Sequence, residues 1–291
     1  MSTFLQAVFG GVAQGAIYAL IALGYSVIFR TLQMGHFAQG EFYTLGAFFG
    51  MTLAAKLGLP AIMVFTGAAL CTSIVMLIVE RVAYRPMYNR PGMGLLLATM
   101  GMQYIIQWLC RLFWNSDVNR SPRLFSDVAY RVGDVVITSQ NLIIIGICAV
   151  LMIALSLFMK YTKTGMAMNA VAMNRKAAAL MGVKTSTIIM STYVIAACLA
   201  AVAGCMMGPI YSVKFNMGTL VGNKAMTAAV MGGFGSLPGA MLGGVLLGVV
   251  ETLCGLYIST EYRDAFSFII LVIVLFWRPQ GLLGKVKTTK V

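Results

Sequence analysis

The sequence predicts an all-α polytopic membrane protein with about eight or nine transmembrane helices, each needing about 20 apolar residues to span the bilayer. Of its 291 residues, 60% are hydrophobic and only 10% are charged, against about 25% charged in an ordinary soluble domain. Short loops separate the apolar runs, and the loop at about residues 160–184 is basic. By the positive-inside rule, that loop marks the cytoplasmic face. We therefore expect one transmembrane domain over residues 1–291, without a separate soluble domain.

The basic loop at residues 160–184 carries five Lys or Arg residues and no acidic residue. Apolar residues recur in it at roughly helical spacing: Ala170, Val171, Ala177, Ala178, Leu180 and Met181. Gly182 follows at a position suited to ending a helix. This pattern predicts one short amphipathic helix. The helix either rests on lipid headgroups or docks a cytosolic partner.

The composition argues against several other classes of protein. The net charge of +13 lies in short loops rather than on one helix face, so membrane topology explains it better than nucleic-acid binding. Six cysteines form no C-x-x-C pair, and there is a single histidine, so we expect no metal site or bound cofactor. Gly284-Lys285 lacks the rest of a Walker sequence. We therefore expect no ATP hydrolysis, or other enzyme activity, in this chain.

The first two apolar runs bring polar residues into the membrane region. The first run, residues 4–29, precedes Arg30 and is expected to be retained with its N-terminus outside. His36, Gln39 and Glu41 crowd the start of the second run. A carboxylate inside a membrane costs about 3 kcal/mol and should face protein or water. Glu41 therefore either caps a helix start at the interface or lines a translocation path.

The next region runs from residue 60 to residue 140. A third span is expected at 60–79. Two prolines then predict an irregular, non-helical connection at 80–91. In this connection, Glu80 and Arg81 form an interfacial ion-pair cluster or contact a cytosolic partner. In the fourth span, 95–113, Gln103 and Gln107 should bridge to a neighbouring helix. The outer loop, about 115–140, has balanced charge, and its alternation at 131–137 indicates a small hairpin.

The second half contains a run that is broken by glycine and proline. Spans are expected at 141–159, 187–207, 240–258 and 265–277, before a basic tail. Between them, residues 222–239 are rich in small residues and either line a cavity or pack tightly. Lys224 at the outer end of this run should pair with Glu41 or Glu251, or snorkel to the interface. Gly-x-x-x-Gly pairs predict close helix packing.

Five motifs, in order along nearly the whole chain, resemble one family. They are residues 34–47, Glu80-Arg-Val-Ala-Tyr-Arg-Pro86, the basic loop, Lys224-Ala-x-Thr-Ala-Ala-Val-x-Gly-Gly-x-Gly-Ser-x-Pro-Gly239 and Ser259-Thr-Glu-Tyr262. Together they resemble the inner-membrane permease of bacterial high-affinity branched-chain amino-acid ABC transporters. The resemblance implies four kinds of partner besides membrane lipid: a second, similar permease, two cytosolic ATPases and an extracytoplasmic binding protein that delivers leucine, isoleucine or valine.

The resemblance also suggests roles for individual residues. The basic loop would be a coupling helix on an ATPase, through Gly165, Asn174, Ala178, Gly182, Arg175 and Lys176. Gln39, Glu41 and Lys224 would lie near the translocation path. The chain departs from the family at His36, where Asn is common, and at Met166 and Asn169, where arginines are frequent. If those arginines grip the ATPase, the contact here rests more on Arg175, Lys176 and packing.

Two other functions remain open from the sequence. A permease for urea or short amides would differ little in its motifs. A stand-alone channel or secondary transporter would belong to a different class. The basic docking loop and the lack of repeated acidic relay positions argue against that second alternative.

Overall fold

The computed structural model describes residues 2–88, 92–115, 118–122, 124–125, 129–132 and 135–284. These residues form the predicted all-α architecture. The α-helices are α1 (Ser2–Leu32), α2 (Gln39–Leu57), α3 (Ala61–Val79), α4 (Gly92–Trp114), α5 (Ser139–Tyr161), α6 (Lys163–Met173), α7 (Arg175–Leu180), α8 (Thr185–Tyr211), α9 (Met217–Gly232), α10 (Leu237–Tyr257) and α11 (Arg263–Trp277). Each predicted span corresponds to one of them.

Six stretches of the described chain are long and apolar enough to cross a membrane. They are Thr3–Leu32, Ala61–Met87, Met93–Trp114, Ser139–Tyr161, Thr185–Tyr211 and Leu237–Tyr257. Helix α2 has 19 residues, α9 has 16 and α11 has 15. The expected count of eight or nine spans depends on these three shorter helices, so it stays a prediction.

The segment after α3 is helical, and the expectation of a non-helical connection was wrong as far as Met87. A π-helical turn covers Glu80–Tyr84, and a 3₁₀ turn covers Arg85–Met87. Pro86 stands at the start of the 3₁₀ turn, which follows the π-helical turn without a break. The proline therefore does not interrupt the helix. Residues 89–91 lie outside the described residues.

The outer loop contains the predicted hairpin. Strands β1 (Ala129–Val132) and β2 (Val135–Thr138) pair antiparallel, with Tyr130 opposite Ile137. Several charges on which the topology prediction drew lie outside the described residues: Asp117, Arg123, Asp127, Asp134, Lys285, Lys287 and Lys290.

The chain divides into two compact units. Unit 1 comprises Met1–Ser26, Asp127–Ile153 and Lys224–Val291. Within it, α1 and α10 pack with their backbones close together: a Cβ on Gly11 would lie 2.8 Å from Val249 Cα, and one on Gly15 would lie 2.7 Å from Val245 O. The Gly-x-x-x-Gly prediction of close packing is confirmed here, because no larger side chain fits between the two helices.

Unit 2 comprises Val27–Ser126 and Ala154–Asn223. Its core is formed by α2, α3 and α8, which pack against one another. Small residues again set the spacing, since a Cβ on Gly204 of α8 would lie 2.8 Å from Ala47 N of α2. The first turns of α2 belong to this core, so the polar residues predicted there are buried within protein.

Candidate functional site

The basic loop folds as two short helices rather than the single helix that was expected. Asn174 separates them: it ends α6, and its side-chain Oδ1 accepts hydrogen bonds of 3.0 Å from the backbone N–H groups of Lys176 and Ala177 at the start of α7. Asparagine is a favourable N-cap because its side chain replaces the missing intrahelical acceptor. Asn174 is therefore the corner between α6 and α7.

Glycines define both ends of this helix pair. Gly165 in the first turn of α6 packs on the end of α5, and a Cβ there would lie 2.6 Å from Met159 Cα. Gly182 follows α7 with φ of +85°. The N–H of Val183 donates to Ala178 O, and the N–H of Gly182 donates to Ala179 O. This is the Schellman pattern that a left-handed glycine permits, so the predicted stop at Gly182 is confirmed.

The helix pair presents a mixed apolar and basic surface. Ala178 is buried, and α7 contacts α8. In contrast, Met173, Leu180 and Met181 are 85–89% exposed, and Lys176 is exposed beside them. We call the exposed residues Met173, Lys176, Leu180 and Met181 the loop surface. Of the predicted coupling residues, Gly165, Asn174, Ala178 and Gly182 hold this surface in place rather than forming it.

Arg175 reaches a residue that the sequence did not single out. Its guanidinium carbon lies 5.5 Å from the ring centre of Tyr88, at a distance for a cation–π contact. The Tyr88 hydroxyl donates a 2.8 Å hydrogen bond to Glu80 Oε1, and Glu80 is fully buried. Burial raises the pKa of Tyr88 well above its usual value, so its hydroxyl keeps the proton that it donates. Glu80 thus points inward to Tyr88 and forms no ion pair with Arg81 among the described residues.

An aromatic cluster lies next to Glu80 in unit 2. His36 Nε2 is 3.1 Å from the Tyr84 hydroxyl, and the rings of Tyr84 and Tyr193 have centroids 5.4 Å apart. The His36 ring also stacks on Phe42 of α2, at 6.0 Å between centroids. Burial lowers the pKa of His36 to about 3, so the imidazole is neutral at physiological pH. The four-residue spacing of Glu80, Tyr84 and Tyr88 is a sequence signal that these three side chains share one face, whereas the contacts of Tyr84 with His36 and Tyr193 have no such local signal.

Gln39 and Glu41 are completely buried at the start of α2. Gln39 donates through Nε2 to Ala196 O on α8, at 2.9 Å. Glu41 Oε1 accepts from Gln107 Nε2 at 2.8 Å and from the Thr219 hydroxyl at 3.1 Å. Glu41 lies in the first turn of α2, where the helix dipole favours negative charge, so the helix-start alternative and the translocation-path alternative both remain predictions. The predicted bridging role of Gln107 is confirmed, because it joins α4 to α2.

Lys224 belongs to unit 1, where it and Glu251 are buried and form an ion network with the more exposed Arg263 and Asp264. Its Nζ lies 2.6 Å from Glu251 Oε1 and 2.5 Å from Asp264 Oδ1. Arg263 Nε is 2.9 Å from Glu251 Oε1, and the Tyr18 hydroxyl donates to the same oxygen at 3.4 Å. Two cations therefore balance two carboxylates. Of the predicted alternatives for Lys224, the structure supports pairing with Glu251.

Comparison with known proteins connects these features to a family. Residues 7–275 match the model of the permease component of branched-chain amino acid transport systems. The chain belongs to this permease family. One relative is LivH of Salmonella typhimurium, a high-affinity branched-chain amino acid transport system permease protein, which is 39% identical over 99% of this chain and 98% of LivH. Another is BraD of Pseudomonas aeruginosa, also a high-affinity branched-chain amino acid transport system permease protein, which is 37% identical over 99% of this chain and 98% of BraD.

A solved structure shares the fold of this permease-family chain. The structure of PsaBC from Streptococcus pneumoniae in complex with Fab superposes with a TM-score of 0.54, over 95% of this chain and 92% of that one. The two sequences are 14% identical, so this likeness concerns the fold alone.

Proposed function

We propose that the chain is the permease subunit of an ABC importer for branched-chain amino acids in the bacterial inner membrane. The observation that carries this proposal is the family match over residues 7–275, together with relatives of 37–39% identity over almost the full chain. A second permease, two cytosolic ATPases and an extracytoplasmic binding protein would complete the transporter. ATP hydrolysis would occur on the ATPases, since the sequence has no Walker motif.

The loop surface is the proposed docking site for an ATPase. Large apolar side chains that are 85–89% exposed on a connection outside the spans are unfavourable in water and are typical of interaction sites. Lys176 adds positive charge for an acidic rim on the partner. Gly165, Asn174, Ala178 and Gly182 support docking by holding α6 and α7 at a defined angle. Arg175 connects this segment to the half-buried Tyr88.

Gln39, Glu41 and Lys224 remain the proposed residues near the translocation path. All three are polar side chains buried in apolar helices, a placement that is costly in a membrane and often functional. Gln39 and Glu41 belong to unit 2 and Lys224 to unit 1. Their roles would differ, because Lys224 is neutralised within its own ion network whereas the contacts of Glu41 are to uncharged donors.

Purification from native membranes tests the docking proposal. In mild detergent, we expect two Walker-containing ATPases and a second polytopic protein to accompany the wild-type chain. Leu180→Glu places a charge in the loop surface and should remove the ATPases while the second permease stays bound. Tyr262→Glu, at an exposed position in the link before α11, is the matched control and should retain every subunit. Recovery of the wild-type chain alone would favour a stand-alone channel or secondary transporter.

Competition uptake tests the proposed substrate class. Cells that depend on this transporter should take up labelled leucine, and an excess of isoleucine or valine should inhibit that uptake. Excess urea should have no effect. Urea uptake that leucine does not inhibit would replace this proposal with a permease for urea or short amides.

A further inference from the structure

A continuous set of contacts in unit 2 leads from α7 to the beginning of α2. It starts at Arg175, which stacks on Tyr88. Tyr88 donates its hydroxyl hydrogen bond to Glu80 in the π-helical turn. Tyr84 in the same turn contacts His36, and His36 stacks on Phe42 of α2. The step from Glu80 to Tyr84 follows the backbone of the π-helical turn, and every other step joins two side chains, so the set connects the loop segment to the core helices of unit 2.

The π-helical turn is an unusual place for these contacts. Single π turns inside helices are rare and often occur at functional positions. Here the turn continues α3 and brings Glu80 and Tyr84 inward, where both are almost completely buried. The turn therefore contains both a buried hydrogen-bond acceptor, the Glu80 carboxylate, and a buried aromatic ring, that of Tyr84.

Tyr88 connects the exposed and buried parts of the set. Its ring is the face on which Arg175 rests, and its hydroxyl is the donor to the buried Glu80 carboxylate. A displacement of α7 that carries Arg175 with it must either move Tyr88 or lose the stacking. If Tyr88 moves, the hydrogen bond to Glu80 must move as well, because a buried carboxylate is costly without its donor.

We propose that Tyr88 is a positioning residue for energy coupling, which transmits movement of α7 to the π-helical turn and so to α2. This inference rests on the proposed function, since it requires an ATPase on the loop surface. It assigns to Tyr88 and Glu80 a role distinct from docking: neither side chain is in the loop surface. Loss of the contact should leave the complex assembled and separate ATP hydrolysis from transport.

Tyr88→Phe is the sharpest variant, because it keeps the ring under Arg175 and removes only the hydroxyl. The purified complex in proteoliposomes should retain both ATPases, while the amount of leucine transported per ATP hydrolysed falls by about 2- to 30-fold, the range for residues that modulate coupling. Tyr257→Phe, at an exposed tyrosine of α10, is the matched control and should transport as wild type. Tyr88→Leu, which also removes the ring, should have a larger effect than Tyr88→Phe.

A double-mutant cycle adds a second measurement. Glu80→Gln keeps an acceptor oxygen for Tyr88 and should preserve coupling, whereas Glu80→Leu should reduce it. Glu80→Leu combined with Tyr88→Phe should be no worse than the stronger single variant, since both remove the same bond.

The outcomes separate the two proposals. Absence of ATPases from the wild-type complex would refute the proposed function. An intact complex in which Tyr88→Phe and Tyr88→Leu transport as much leucine per ATP as the wild type would refute the positioning role alone. Loss of assembly in Tyr88→Phe would also overturn it, because Tyr88 would then serve only to stabilise the subunit.

Discussion

The two units bury carboxylates in different ways. In unit 1, Glu251 is paired with Lys224 and Arg263, and Lys224 also contacts Asp264. In unit 2, Glu41 accepts hydrogen bonds from Gln107 and Thr219. Among the described residues, no Lys or Arg lies within ion-pair distance of Glu41. One unit thus balances buried charge with opposite charge, and the other uses uncharged donors.

This difference predicts different consequences of mutation. Removing one member of an ion network leaves an uncompensated charge in an apolar environment, which is among the most destabilising changes. Removing a carboxylate that only accepts from amides and hydroxyls leaves unsatisfied but uncharged donors, which costs less. We therefore expect substitutions in the ion network of unit 1 to lower the free energy of unfolding strongly. Substitutions of Glu41 should lower it less, so that transport by these variants can still be measured.

The largest expected effect is that of Lys224→Met in unit 1. This variant leaves the two carboxylates with Arg263 as the remaining cation of the described network. We expect the free energy of unfolding to fall by about 3–5 kcal/mol. Denaturant titration of the purified chain in detergent measures it.

A paired variant sharpens this first prediction. Lys224→Met combined with Glu251→Leu removes a charge of each sign and should recover much of the lost stability, since apolar replacement of a whole buried pair is often neutral. If the double variant is as unstable as the single one, side-chain packing, rather than charge balance, explains the network.

A smaller effect is expected at Glu41 in unit 2. Glu41→Leu leaves Gln107 and Thr219 without their acceptor and should cost about 1–3 kcal/mol of unfolding free energy. Glu41→Gln retains an acceptor oxygen and should cost less than Glu41→Leu in the same titration. Equal losses for the two variants would show that the carboxylate charge itself is required, and the contrast between the units would not hold.

The smallest effect concerns His36, the single histidine of the chain. Burial holds its pKa at about 3 in the folded protein, whereas an unfolded histidine titrates near 6.5. The unfolded state therefore gains a proton first as the pH falls, and stability decreases. Between pH 7 and pH 5.5 we expect a loss of about 1 kcal/mol.

Substitution at His36 isolates this contribution. His36→Asn removes the titrating ring, so the stability of that variant should change less over the same interval than the stability of the wild type. An unchanged pH dependence in His36→Asn would show that other groups are responsible.

The helices were predictable because the apolar runs are long, and most of them end at glycine, proline or charged residues. The exceptions have local causes. The two prolines predicted a non-helical connection at 80–91, but Pro86 stands at the beginning of a 3₁₀ turn that continues from the π-helical turn. In the basic loop, the helical periodicity spans Asn174, and the periodicity does not reveal that this side chain caps a new helix.

The functional clusters were predictable only where one end of a contact was conspicuous. Glu41 and Lys224 were identified because charge is rare in apolar runs. The partners in the Lys224 network were harder to predict. Arg263 and Asp264 were expected to precede the last span, which was predicted to begin at Ala265, whereas α11 begins at Arg263. His36, Tyr84 and Tyr193 meet across long stretches of sequence, so no local pattern predicts that contact.

ATP-driven uptake by the reconstituted transporter tests the central claim most directly. The chain, its second permease, the two ATPases and the binding protein are placed in proteoliposomes, and labelled leucine is followed with ATP or a non-hydrolysable analogue inside. Our account predicts accumulation of leucine with ATP and none with the analogue, and loss of ATP-driven accumulation in Leu180→Glu. Leucine uptake that is equal with ATP and with the analogue, and unchanged in Leu180→Glu, would contradict it.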